Sequence, residues 1–117
     1  MKKPPFYKSV FYSIKGFIWM LKSERNFQLE TLALLFNLFL IVYLKLNTID
    51  SALIITVCFI VLIAETLNTA IEKLCNFVEP NFDKKIGLIK DLGAGAVILA
   101  TLLSVIIGFL VYSKYIF

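Results

Sequence analysis

Histidine is absent from the chain, which excludes an imidazole general base and any zinc site built on His. Cysteine occurs only at Cys58 and Cys75, too few for a disulfide scaffold, so both read as small packing residues. Charge is scarce, with 17% of the 117 residues being Asp, Glu, Lys or Arg, where a soluble domain carries about a quarter. Neither G-x-x-x-x-G-K-[ST] nor G-x-G-x-x-G occurs, so both Gly-rich phosphate loops are missing. No zinc-finger spacing or basic-aromatic patch points to nucleic acid. What is abundant is apolar side chain: 60% of residues, with a mean hydropathy of +0.88. A domain this small has too little interior to hide that much apolar surface. The composition therefore predicts an integral membrane protein, with the net charge of +4 acting in topology and anionic-lipid contact.

Residues 6–22 repeat apolar side chains at spacings of three and four: Phe6, Val10, Phe11, Ile14, Phe17, Ile18 and Leu21. Lys8, Ser9, Tyr12, Ser13 and Lys15 fill much of the other side. This is the pattern of an amphipathic helix lying in the membrane interface. Ser23 to Asn26 forms a polar break. Three spanning helices are predicted after it, over 29–49, 51–78 and 92–113. An exposed loop is expected over 79–91, which holds Pro80, Gly87 and most of the charge of this region. In the third span Ala96, Ala100, Ser104 and Gly108 recur every four residues, a stripe that lets membrane helices approach closely. The fold class expected is all-α, one membrane domain over 1–117. Three spans place ten of the twelve Lys and Arg residues on one side and only Lys45 and Lys114 on the other. The positive-inside rule then makes the N-terminus cytoplasmic.

Glu65 directly follows fourteen uncharged residues, and an ionisable group at that depth marks a functional site by default. Glu65, Asn68 and Glu72 stand at i, i+3 and i+7, within about 60° of one another on a helix, with Thr69 beside them. Two carboxylates on one face can divide labour, one taking a proton and one holding a hard cation such as Mg²⁺. The same groups also suit interhelical hydrogen bonding or an ion or proton pathway. Lys90 and Asp91 open the third span, where an ammonium can meet phosphate as a point charge. Glu24, in the polar break, adds a third acid at the same membrane side.

Taken together these segments resemble the small bacterial membrane diacylglycerol kinase and undecaprenol kinase family. Glu65-Thr-Leu-Asn-Thr-Ala-Ile-Glu72 is similar to its E-x-x-N-[TS]-A-I-E signature. Lys90-Asp91-Leu-Gly-Ala-Gly-Ala-Val97 is similar to its K-D-x-[AG]-[AS]-[AG]-A-V segment. Ser23-Glu-Arg-Asn-Phe-Gln28 looks like the E-R-N-F-[QR] segment of the Gram-positive-type branch. The resemblance implies a homotrimer in the bacterial cytoplasmic membrane that transfers the ATP γ-phosphoryl to a lipid hydroxyl, with Mg²⁺. Carried over by position, it makes Glu65 the general base and Glu24 and Glu72 the metal ligands. Asn68, Lys90 and Asp91 then position the nucleotide and order the site. The chain departs from the family at Asn76, where Asp is common, and in the loop 79–89, which lacks the His often found there. The lipid is left open between diacylglycerol and undecaprenol. The competing readings are a non-catalytic membrane adaptor and a small ion- or proton-conducting oligomer.

Overall fold

The structure is a computed structural model, and it describes residues 2–117. Among them it contains four helices: α1 (Phe6–Ser23), α2 (Arg25–Tyr43), α3 (Thr48–Val78) and α4 (Lys84–Ile116). The last three are long and apolar enough to cross a membrane, so the all-α, three-span expectation holds. Helix boundaries differ from the expected ones, and each shift has a local cause.

The polar break between α1 and α2 is a single extended residue, Glu24 (φ −108°, ψ 113°). The Gln28 N–H already bonds the Glu24 carbonyl at 3.0 Å, so α2 begins at Arg25 rather than 29. Polar side chains there occupy the first turn of a helix, where backbone N–H groups lack partners in any case. At the other end α2 stops at Tyr43 rather than 49. Lys45 takes a left-handed conformation (φ 56°). The Leu46 N–H reaches back to the Ile41 carbonyl at 3.0 Å and the Lys45 N–H to Val42 at 3.3 Å. This is a Schellman end with lysine where glycine is usual. Helix α3 starts at Thr48 because the Asn47 side chain accepts from the Asp50 N–H at 2.8 Å, a capping bond.

The largest correction concerns residues 84–91, expected as loop. Asp83 Oδ1 accepts from the N–H groups of Lys85 and Ile86, and α4 starts there, leaving only residues 79–83 as the connection. Lys84, Lys85, Lys90 and Asp91 ride on its first turns. A long uncharged run locates the hydrocarbon segment, not the whole helix.

Helices α3 and α4 form an antiparallel hairpin, α2 packs on α3, and α1 leans on α2. Met20 of α1 enters a core of Phe27, Leu34 and Leu62. The Phe17 and Phe27 rings meet edge to face at 5.8 Å. Much of the remaining apolar surface, including Leu32, Leu35, Phe36 and Phe39 of α2, is exposed, as membrane-facing helices require. Within the apolar zone the Tyr112 hydroxyl donates to Asn37 Oδ1 at 2.6 Å. At the end away from the lysine-rich connection, Asp50 is 3% exposed. It pairs with Lys114 at 2.9 Å and accepts from the Tyr115 hydroxyl at 2.7 Å. That network pins the start of α3 to the last turns of α4. Both cysteines are free.

Candidate active site

Because α3 runs unbroken from Thr48 to Val78, its helical phase brings Glu65, Asn68 and Glu72 to one side, as the spacing predicts. Glu65 is 5% exposed and Asn68 8%, with Thr69 buried beside them, whereas Glu72 is exposed. Asn68 Nδ2 donates to Glu72 Oε1 at 3.1 Å, so the amide holds the carboxylate. The other end of the same amide, Oδ1, is buried without a partner. It faces Gly93 of α4, where a Cβ would collide with it. Gly93 is thus the point at which α4 comes close enough to α3 to shape the site. Gly95, for which the sequence equally suggests a close-packing position, has open space around it.

From the opposite side α2 contributes Asn26, whose amide lies against the Glu65 carboxylate, and Glu24 and Glu72 both fall within electrostatic reach of that carboxylate. Glu30, one to two turns further along α2, does so as well. Among the described residues the one ion pair is Lys114–Asp50, at the far end of the bundle. Among the described residues no Lys or Arg forms an ion pair with Glu24, Glu30, Glu65 or Glu72. Such a set of hard oxygen donors suits Mg²⁺. No three acidic, His or Cys side chains among the described residues converge into a complete metal site.

Lys90 and Asp91 are close by but not in that cluster. They line a pocket of about 260 Å³ with the connecting residues 79–83. Lys90 Nζ donates to Asn76 Oδ1 at 2.5 Å. Asn76 holds the ammonium through a neutral oxygen and leaves its charge uncancelled.

Sequence reasoning missed Asn26 and Glu30; it reads both Gly93 and Gly95 as close-packing positions, and of the two only Gly93 is one. Glu30 sits on the border of the uncharged run that defined the first span, so the search for the run passed it over. The usable signal was phase: Glu30 and Asn37 stand at i and i+7, and both line a cavity of about 250 Å³ with Thr101 and Ser104 of α4.

A buried carboxylate with two further carboxylates in electrostatic reach is of a kind that can take a proton from a hydroxyl. Lys90, in the pocket it shares with Glu79, Asp83 and Asp91, carries an ammonium that can meet phosphate as a point charge. The profile of the prokaryotic diacylglycerol kinase family matches residues 11–112. A diacylglycerol kinase of Escherichia coli strain K12 is 31% identical over 99 residues, covering 85% of this chain and 81% of that protein. One from Helicobacter pylori is 28% identical over 109 residues, covering 93% and 82%. One from Synechocystis is 31% identical over 98 residues, covering 83% and 56%. The chain belongs to the prokaryotic diacylglycerol kinase family and is a membrane lipid kinase.

Proposed function

We propose that the chain transfers the γ-phosphoryl group of ATP to the hydroxyl of a membrane lipid, with Glu65 as the general base. The observation that carries this reading is the burial of Glu65 against Asn26, within reach of Glu24 and Glu72 and, among the described residues, with no cation paired to it. Phosphoryl transfer asks little covalent work of a protein; it needs positive charge, orientation and an in-line nucleophile. Glu24 and Glu72 would hold Mg²⁺, which supplies charge neutralisation at the phosphate oxygens when bound. Asn68 fixes Glu72, and Gly93 fixes Asn68. Lys90, steered by Asn76, directs its ammonium to the nucleotide phosphates, and Asp91 orders the pocket beside it. Glu65 takes the lipid hydroxyl proton as the oxygen attacks phosphorus. The functional unit is a homotrimer in the bacterial cytoplasmic membrane.

The acceptor is a lipid alcohol. The names of the relatives favour diacylglycerol, whereas the Glu24-Arg-Asn-Phe-Gln28 segment favours undecaprenol. The test is incorporation of labelled γ-phosphate into each lipid by the purified protein in detergent, with and without Mg²⁺. Metal-dependent labelling of one lipid, at least tenfold over the other, is expected. Labelling of neither returns the polar face to interhelical or ion-conducting duty.

In this reading the lysine-rich end is cytoplasmic and Phe117 is external, from the distribution of cations across the three spans. A reporter fused at Phe117 is expected to behave as external. A cytoplasmic signal there contradicts the orientation.

A further inference from the structure

The chain has a single tryptophan, and its ring is engaged: Lys73 Nζ lies 4.5 Å from the Trp19 ring centroid. One partner is the chain neighbour of a proposed metal ligand, and the other sits on the helix that leads into the second. Lys73 directly follows Glu72. Trp19 lies in the last turns of α1, which ends at Ser23, and Glu24 follows as the one extended residue before α2. With no linker between α1 and Glu24, a shift of α1 is a shift of Glu24.

We infer that Trp19 and Lys73 form a positioning pair that sets the separation of Glu24 from Glu72, and with it the affinity of the site for a divalent cation. The inference rests on the proposed roles of those two carboxylates. The other anchors of α1 act elsewhere: Met20 enters the core with Phe27, Leu34 and Leu62, and Phe17 meets Phe27. These fasten α1 to α2 and to the middle of α3. Among the described residues no hydrogen bond or ion pair joins α1 to α3. Between the two helices lies an open groove of about 360 Å³, which Gly16, Thr66 and Ala70 help to line. Close packing therefore does not fix their spacing there, and the contact between ammonium and indole spans the gap where the groove runs up to the turn of Glu72. Among the described residues Lys73 forms no ion pair.

An exposed cation–π contact is a weak interaction, so its loss is expected to weaken cation binding about two- to fivefold. The experiment measures Mn²⁺ bound to the purified full chain in detergent by electron paramagnetic resonance, with a non-hydrolysable ATP analogue present. Lys73→Met and Trp19→Leu are each expected to raise the Mn²⁺ dissociation constant by that factor. The double variant should be no worse than either single one, and Lys73→Arg should restore wild-type binding. Emission of the lone tryptophan should shift in Lys73→Met, reporting loss of the contact without reference to activity. If Lys73 acts only as a nearby positive charge, Lys73→Met tightens Mn²⁺ binding while Trp19→Leu leaves it unchanged, and the inference is overturned. Glu72→Gln separates the two levels. Weak binding in Glu72→Gln with normal binding in both pair variants removes only the positioning role. Normal binding in Glu72→Gln, or none in the wild type, removes the metal site and the positioning pair together.

Discussion

Glu65→Gln is expected to abolish turnover while leaving the fold in place. The amide keeps the volume of the carboxylate and can still meet Asn26, so packing around a residue only 5% exposed is preserved. What it loses is the ability to take a proton, which costs about 10²–10⁴-fold in rate where a general base operates. Stability should move the other way. Glu65 stands within electrostatic reach of Glu24, Glu72 and Glu30, and a neutral side chain relieves that repulsion. The unfolding temperature in detergent is thus expected to stay level or rise as activity disappears. A variant that keeps more than about a tenth of the wild-type rate contradicts the assignment of the base.

Gly93→Ala is expected to be nearly as damaging by a purely steric route. The new methyl group meets Asn68 Oδ1, so the amide must shift to admit it. Its Nδ2 carries Glu72 Oε1, so displacement of the amide is passed to the proposed metal ligand. Overpacking of this kind costs about 1–3 kcal/mol. If the strain falls on the site, that is about 5- to 150-fold in rate at 1.4 kcal/mol per factor of ten. Gly95→Ala, where a methyl group meets nothing, is the control and should retain wild-type activity. The measurement is kcat for both variants beside their unfolding temperatures. Equal activity in the two would show that Asn68 does not transmit the contact at Gly93.

Those two residues also mark what a linear reading of the chain reaches. Glu65, Asn68 and Glu72 are legible because a single helix phases them, and helical phase is a property of spacing alone. The spans are legible because hydrocarbon excludes charge. The partners of these elements are not, because they come from segments remote in sequence. Asn26 and Gly93 approach α3 from two other helices. The Asp50 network draws on Lys114 and Tyr115, more than sixty residues away. Lys90 and Asn76 meet only because the connection is short, and its shortness was hidden by counting the charged turns of α4 as loop. The end of α2 was hidden differently: Lys45 adopts a backbone conformation normally signalled by glycine, and nothing in its side chain announces it.

The unbroken length of α3 gives the enzyme a ruler. Glu65 stands seventeen residues beyond Thr48, about 26 Å along the axis at 1.5 Å per residue. The start of that ruler is clamped to α4 through Asp50. The hydrocarbon it crosses is about 30 Å thick and varies by a few ångströms between membranes. A thinner bilayer carries the carboxylate out among water and headgroups; a thicker one draws it into acyl chain. A lipid hydroxyl rides with its leaflet, while the proposed base is held at a fixed distance from the opposite face. Their meeting is therefore a match between a molecular length and a membrane thickness, and chain length in the host lipid becomes a variable of the reaction.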